Sequence, residues 1–196
     1  LIESQNIPSV SLWNYAKSSR LICVGADNFD AGRKIAAHVL AQGYSKITTL
    51  FPPLAGNDRA TSRANGIMKV LEEGGVSPAL ADQLETLYSI SSAKKVVIDY
   101  LKSGSRPDAI ICCNDILALG AVYASQSLGL SVPEDIAVTG VGDFKGSKEI
   151  EPALTTIRIP AKTIGALGGA ALVQSIISPE AELENRCCVS DLVTRS

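Results

Sequence analysis

The sequence has a single histidine, His38, and no long hydrophobic run. Its 196 residues carry 18 basic and 20 acidic side chains, which gives a formal net charge of −2. A chain that binds nucleic acid by itself usually has a basic surplus, so this composition argues against direct DNA binding. No apolar run reaches the roughly 20 residues needed to cross a bilayer, so we expect no membrane contact. Hydrophobic residues make up 46% of the chain, which is enough for a packed core.

Motifs for catalysis and metal binding are also missing. The single histidine lies within a helical pattern, where a packing or surface role is the simpler interpretation. The stretch 140–146 resembles a dinucleotide-binding loop, but its third glycine is one residue late and Pro152 prevents a long helix. Asp27, Asp115 and Asp143 could supply paired carboxylates, yet no nucleophile, metal set or cofactor loop accompanies them. We therefore predict a binding protein without cofactor or metal, and not an enzyme.

The five cysteines occur as one single residue and two adjacent pairs: Cys23, Cys112 with Cys113, and Cys187 with Cys188. An odd number with adjacent pairs is not typical of a disulfide framework. Neighbouring residues of a strand point to opposite faces, so an adjacent pair also chelates one metal ion poorly. We interpret the cysteines as reduced thiols, which favours a cytoplasmic protein.

Short apolar segments rich in β-branched residues alternate with helical patterns along the chain. This alternation predicts an α/β fold with a parallel sheet covered by helices on both faces. Strands are predicted at 8–12, 21–26, 46–51, 84–88, 108–113, 135–139, 154–159 and 186–193. One helix is predicted to be capped by Asp30 and closed by Gly43, and the last helix to cover 161–177. Ligands of such sheets bind beyond the carboxyl ends of the strands.

Six short motifs follow one another in a fixed order across almost the whole chain. They are Val24–Asn28 (VGADN) with Ala31-Gly32, Arg63–Gly66 (RANG), Arg106–Asp115 (RPDAIICCND) with Ala118–Ala121 (ALGA), Gly129–Gly140 (GLSVPEDIAVTG), Pro152–Ile157 (PALTTI) and Leu192–Ser196 (LVTRS). In this order they resemble the effector-binding core of the LacI/GalR family of transcriptional regulators. The resemblance implies a type I periplasmic-binding-protein fold, in which two Rossmann-like subdomains are joined by three crossovers.

The same resemblance implies that only part of the family's architecture is present. Residues 1–26 and 160–185 would be the remnant of the N-terminal subdomain, and residues 27–159 and 186–196 a nearly complete C-terminal subdomain. The first residues lack the features of a signal peptide and look like the middle of a longer protein. The helix-turn-helix headpiece of the family would be absent, so operator DNA would be bound only through that missing domain.

Ligand-binding positions of the family map onto seven residues of this sequence. They are Trp13, Asn57, Arg63, Tyr88, Asn114, Asp115 and Asp143. Trp13 stands where the family usually has Asp, and Gly142 stands where it usually has an acid that binds a sugar hydroxyl or a purine. The resemblance therefore implies a pocket less acidic than a typical sugar site. With less negative charge near Arg63, an anionic or phosphorylated effector is favoured over a neutral sugar.

Each of these residues also has a simpler structural interpretation. Asn114 and Asp115 could cap the following helix. Trp13 and Tyr88 could be packing aromatics, and Arg63 could be an ordinary solvated arginine of a helix.

We expect a cytoplasmic, effector-sensing and dimerising core of a transcriptional regulator, whose small-molecule effector is a sugar or sugar derivative. The alternative is a periplasmic sugar-binding protein that serves a transporter. The 129–140 and 154–157 motifs and the reduced thiols favour the regulator. A homodimer through the C-terminal subdomain is predicted because residues 117–128 and 132–136 offer more apolar side chains than one sheet face needs.

Overall fold

A computed structural model describes residues 7–76, 79 and 82–195 of the chain. These residues form two compact units, the smaller from residues 7–28 and 159–190 and the larger from residues 29–158 and 191–195. The described helices are α1 (Asn28–Ala41), α2 (Asp58–Glu73), α3 (Ile90–Lys102), α4 (Asp115–Ser127) and α5 (Ala161–Ile177). The described strands are β1 (Val10–Asn14), β2 (Ile22–Ala26), β3 (Ile47–Phe51), β4 (Gln83–Glu85), β5 (Ala109–Cys112), β6 (Ala137–Gly142), β7 (Thr155–Arg158), β8 (Arg186–Cys187) and β9 (Asp191–Val193).

The larger unit is built on a six-stranded sheet with the strand order β4-β3-β5-β6-β7-β9. All neighbouring strands are parallel except β7 and β9, which are antiparallel. Every residue of β3 and β5 is buried, because helices cover both faces of the sheet. The predicted α/β parallel-sheet fold is therefore confirmed, with one antiparallel strand at its edge.

The smaller unit has a three-stranded parallel sheet with the order β1-β2-β8, and α5 packs on β1 and β2. The predicted bounds of α5 agree with the structure. Most of α5 is nevertheless open, since only Ile164 and Gly168 are buried along its length. Its apolar side chains Val173, Ile176 and Ile177 are all more than half exposed.

The single strand predicted at 186–193 is wrong. The chain instead forms β8 in the smaller sheet, and then β9 in the larger one. The backbone N–H of Cys188 donates to the carbonyl of Gly25 at 2.7 Å, which ties this segment to β2 before the chain leaves the sheet. Two strands of two and three residues are too short for alternation to reveal the break. The units accordingly divide after residues 28, 158 and 190, and not at the predicted 26, 159 and 185.

Helix α1 begins two residues before the predicted cap. Asp30 therefore lies in its first turn, where the carboxylate pairs with Lys34 at 2.8 Å. Gly43 follows the helix with φ of +88°, a left-handed conformation that glycine adopts without steric cost.

Most apolar residues of α4 pack inside the larger unit. Leu117, Ala121 and Ala124 are fully buried, and α4 packs against α3 and β6. Much of the apolar surface that predicted a dimer contact on this helix is therefore covered by α3, while Tyr123 stays 40% exposed. The homodimer remains a prediction. Of the helices in the described ranges, none has the length and apolar character that crossing a bilayer requires.

Candidate functional site

The carboxyl ends of β4, β3, β5, β6 and β7 meet at one edge of the larger sheet, since these five strands are parallel. We call this the carboxyl edge. Six of the seven predicted ligand-binding residues lie on segments that follow these strands or on the helices that begin there: Asn57, Arg63, Tyr88, Asn114, Asp115 and Asp143.

Arg63 extends from α2 towards the end of β5. Its Nη1 donates a hydrogen bond to the carbonyl oxygen of Cys113 at 3.2 Å. Burial lowers the pKa of Arg63, while the neighbouring Cys113 and Tyr88 act in the opposite direction. Arginine stays protonated in proteins, so the edge holds a half-buried guanidinium.

Two glycines of the recognised motifs place α2 close to α1. A Cβ atom at Gly32 would collide with the backbone carbonyl of Arg63, and one at Gly66 would collide with the carbonyl of Phe29. Only glycine permits so close an approach of the two helices. The motifs Ala31-Gly32 and Arg63–Gly66 therefore fix where Arg63 stands relative to the sheet.

Asn57 and Tyr88 lie on either side of this arginine in the sequence. Asn57 is the N-cap of α2, and its Oδ1 accepts a hydrogen bond from the N–H of Ala60 at 3.2 Å. Tyr88 is 55% exposed beyond β4. Burial of its ring raises the pKa of Tyr88, against the nearby charge of Arg63, which lowers it.

Asn114 and Asp115 lie inside the larger unit. Asn114 is the N-cap of α4, and its Oδ1 accepts from the N–H of Leu117 at 3.0 Å. Asp115 has no exposed surface. The capping interpretation of Asn114 is therefore the one that the geometry supports.

The carboxylate of Asp115 accepts hydrogen bonds from three protein donors. Oδ2 accepts from the N–H of Phe144 at 2.9 Å and from the hydroxyl of Ser147 at 2.5 Å. Oδ1 accepts from the hydroxyl of Thr156 at 2.6 Å. Burial raises the pKa of Asp115, and these hydrogen bonds act in the opposite direction. Asp115 thus fastens the loop after β6 and the strand β7 to α4.

Gly140 makes room for this buried carboxylate. A Cβ atom at that position would meet Oδ1 of Asp115 and the side chain of Ala118. The glycine pattern at 140–146 thus serves close packing of β6 against α4 and not a phosphate loop.

Asp143 lies at the surface end of the same loop and is held by two arginines. Its Oδ2 accepts from Nε of Arg158 and its Oδ1 from Nη2 of Arg195, both at 2.6 Å. Burial alone would raise the pKa of Asp143, but the hydrogen bonds and charges of Arg195 and Arg158 outweigh it and lower the pKa. Asp143 is therefore an ionised carboxylate with two cationic partners.

Trp13 belongs to the smaller unit, at the carboxyl end of β1. It is 42% exposed, and its φ of +77° is unusual for a bulky residue. Its register partner is Gly25. A Cβ atom at Gly25 would collide with the backbone of Trp13 and Asn14. A strained, exposed aromatic residue at a strand end is a candidate contact for a ligand ring.

Sequence reasoning missed the two arginines at Asp143. Arg195 stands inside the LVTRS motif, which was noted for the resemblance alone. Arg158 is the last residue of β7. The β-branched residues of Thr155–Arg158 indicate the strand but not the partner of its last side chain.

A separate cavity of about 470 Å³ lies in the smaller unit, between α5 and residues 182–186. None of the seven predicted residues lines it. Among the residues that the structure describes, no three His, Cys, Asp or Glu side chains are grouped as metal ligands would be.

The fold and the carboxyl edge define a domain of the periplasmic-binding-protein type. The profile of the periplasmic binding protein-like domain family matches residues 36–196. The chain therefore belongs to this family, within the LacI/GalR group of transcriptional regulators.

Curated proteins that are similar in sequence to the chain are regulators. An HTH-type transcriptional regulator GntR from Pseudomonas aeruginosa is 32% identical over 181 residues, which are 92% of this chain and 52% of that protein. An HTH-type transcriptional repressor PurR from Photorhabdus laumondii is 30% identical over 179 residues, 91% of this chain and 52% of that protein. The chain thus spans about half the length of these curated relatives.

The architecture is also similar to a crystal structure of the transcription regulator GntR from Chromobacterium violaceum. The TM-score is 0.90 at 30% identity, and the match covers 99% of this chain and 71% of that one.

Proposed function

We propose that this chain is the effector-binding core of a cytoplasmic DNA-binding transcriptional regulator, and that its effector is a sugar or sugar derivative. The observation that carries the proposal is the half-buried guanidinium of Arg63 on the carbonyl of Cys113, at the edge where parallel sheets bind ligands. Its neighbour Tyr88 offers an exposed ring. Polar groups of this kind, few and convergent, are typical of small-molecule sites.

Six of the seven predicted residues divide into three roles under this proposal. Arg63, Tyr88 and Asn57 contact the effector in the larger unit. Trp13 is a further candidate ligand contact and belongs to the smaller unit. Asn114 and Asp115 act as positioning residues, because both side chains are bonded inside the protein.

The smaller unit is proposed to be the remnant of the N-terminal subdomain, and the larger one the C-terminal subdomain. Support comes from α5, whose apolar Val173, Ile176 and Ile177 are exposed on a sheet of only three strands. Further chain would cover these side chains, and the curated relatives are about twice as long. The DNA-binding headpiece is proposed to belong to that further chain.

The complete protein is proposed to be a homodimer that binds operator DNA through its headpieces. Effector binding would shift the equilibrium between two conformations of differing DNA affinity. No cofactor, metal or catalytic step is part of the proposal. Because the named relatives are regulators, we do not propose the transporter alternative.

The test is calorimetric titration of the complete protein with glucose, ribose and their phosphates. Loss of a charge-assisted hydrogen bond costs about 1.5–3 kcal/mol, so Arg63→Ala should weaken binding of the best probe roughly ten- to a hundred-fold. Arg63→Lys keeps the positive charge but loses the planar guanidinium with its several donors. It should therefore weaken binding less than Arg63→Ala does.

Lys102→Leu is the matched control, because Lys102 is an exposed cation at the far end of α3. It should bind like the wild type. Equal affinity of the wild-type and Arg63→Ala proteins for each probe would remove Arg63 from the site. Absence of binding by every probe would contradict the proposed sugar effector.

A further inference from the structure

The side chain of Arg158 is held at one nitrogen and open at the other two. Nε donates to Oδ2 of Asp143 at 2.6 Å. Among the described residues, neither terminal nitrogen of Arg158 has a hydrogen-bond or ion-pair partner. The side chain is 52% exposed, and it stands on the last residue of β7, at the carboxyl edge. The four N–H groups of the fork are thus available to a ligand.

Asp143 is itself immobilised, so the orientation of Arg158 is set in advance. The second oxygen of Asp143 is occupied by Arg195, whose side chain is only 15% exposed. Arg195 also donates from Nη1 to the carbonyl of Leu154 at 2.7 Å, and its backbone N–H donates to the hydroxyl of Thr155 at 2.9 Å. The carboxylate of Asp143 is therefore fixed by Arg195 at Oδ1, while its Oδ2 fixes the exposed Arg158.

The backbone around Asp143 is specialised for this arrangement. Asp143 has φ of +52° and Gly142 has φ of +142°, so both adopt conformations that are uncommon for residues with side chains. Asp143 is exposed by only 12% at its side chain, against 52% for Arg158. Glycine adopts such a conformation without steric cost, and Asp is among the residue types that enter the left-handed region most often. The chain therefore turns sharply after β6, at the residue that pairs with both arginines.

The charge of this group is positive. Two arginines share one carboxylate, which leaves one net positive charge at the exposed end. Arg63 adds a second cation at the end of β5, two strands away, and neighbouring strands lie about 4.8 Å apart. The two cations lie at the same edge of the sheet.

We propose that Arg158 is a specificity residue that selects effectors carrying a carboxylate or phosphate group, with Asp143 as the positioning residue that orients it. This inference rests on the proposed function, because it concerns the same ligand-binding edge. A planar guanidinium fork matches the oxygens of either anion in a bidentate geometry. Orientation in advance removes much of the entropy cost of ordering a long side chain on binding.

The experiment measures the charge preference of the complete protein by calorimetry. The probes are glucose, glucose 6-phosphate and glucuronate, and ribose with ribose 5-phosphate. The wild type should bind the anionic member of at least one set more tightly than its neutral partner. Arg158→Leu should lose roughly ten- to a hundred-fold in affinity for that anion and less than about two-fold for the neutral sugar.

Three further variants separate a specificity role from a structural one. Arg158→Lys should recover part of the preference for the anion, because it restores the charge without the fork. Asp143→Asn should weaken binding of the anion, since its amide no longer holds Arg158 by charge. Lys102→Leu removes an exposed cation elsewhere and should leave the preference unchanged.

Two outcomes would overturn the inference and leave the proposed function intact. One is tight binding of a probe without any preference for the anion in the wild type. The other is an equal loss of neutral and anionic binding in Arg158→Leu, or an equal loss in Lys102→Leu. Binding of none of the probes would overturn the inference together with the proposed sugar effector.

Discussion

Two carboxylates at the carboxyl ends of neighbouring strands, Asp115 and Asp143, are held in opposite ways. Asp115 is fully buried and accepts from neutral donors, the hydroxyls of Ser147 and Thr156 and the N–H of Phe144. Asp143 is near the surface and accepts only from arginines. Burial raises the pKa of the first, whereas the two arginines outweigh burial and lower the pKa of the second.

The comparison separates a positioning site from a binding site. Asp115 has no exposed surface at which a ligand could reach it. A carboxylate that fixes an exposed arginine leaves donors free at the surface. The loop after β6 connects the two sites. Asp115 holds this loop at Phe144, the residue after Asp143, and again at Ser147. The hydrogen bonds of Asp115 therefore fix the loop that carries Asp143, and this preorganises the contact of Asp143 with Arg158.

The largest effect is expected when the inner carboxylate is removed. Asp115→Ala leaves two buried hydroxyls and the N–H of Phe144 without their acceptor, so the free energy of unfolding should fall by about 2–5 kcal/mol. Urea unfolding of the complete protein measures this loss. Asp99→Ala is the matched control, since Asp99 pairs with Lys95 on an exposed face of α3 and should cost less than about 1 kcal/mol. A loss below about 1 kcal/mol for Asp115→Ala would contradict its role as the anchor.

A smaller effect is expected at the glycine that faces this carboxylate. Gly140→Ala forces a methyl group against Oδ1 of Asp115 and should lower the free energy of unfolding by about 1–3 kcal/mol. Gly165→Ala in α5 has open space around it and removes a helix-weakening glycine, so it should raise stability by about 0.5–1 kcal/mol. Thermal and urea unfolding of both variants would test the contrast. Equal effects at the two glycines would show that the packing at Gly140 has been overestimated.

The smallest effect is a pH dependence at Asp143. Its pKa in the folded protein lies below the ordinary value of 3.8, so its ionised form stabilises the fold above about pH 4. This contribution is lost as the pH falls through the lowered pKa. The difference in unfolding free energy between the wild type and Asp143→Asn should therefore be constant near neutral pH and shrink below about pH 4. A difference that grew on acidification would contradict the pairing with the arginines.

The sequence predicted most of the architecture because strand and helix periods are strong in this chain. The α/β class, the bounds of α5 and the glycine that closes α1 agree with the structure. The 186–193 segment was wrong, because two very short strands in different sheets leave no periodic signal. The early start of α1 was missed because Asp30 fits a cap and a first-turn position equally well.

The site was harder to predict than the fold. The sequence could place Asp115 and Asp143 at strand ends, but the number of protein donors around each depends on residues 32–52 positions away in the chain, such as Ser147, Thr156 and Arg195. Tertiary partners at that separation have no local pattern. Arg63 was predicted through a family motif, and the structure supplies its partner, the carbonyl of Cys113.

The central claim, that the carboxyl edge binds an effector that controls DNA binding, is tested most directly by fluorescence anisotropy. The complete protein is titrated with DNA from upstream of its own gene, at fixed salt, with and without the best sugar probe. We predict that the probe changes DNA affinity by roughly 5- to 150-fold. Arg63→Ala should bind DNA as the wild type does without the probe, and should need a higher probe concentration for the same change. A DNA affinity that no probe alters, or identical probe responses of the wild type and Arg63→Ala, would contradict the account.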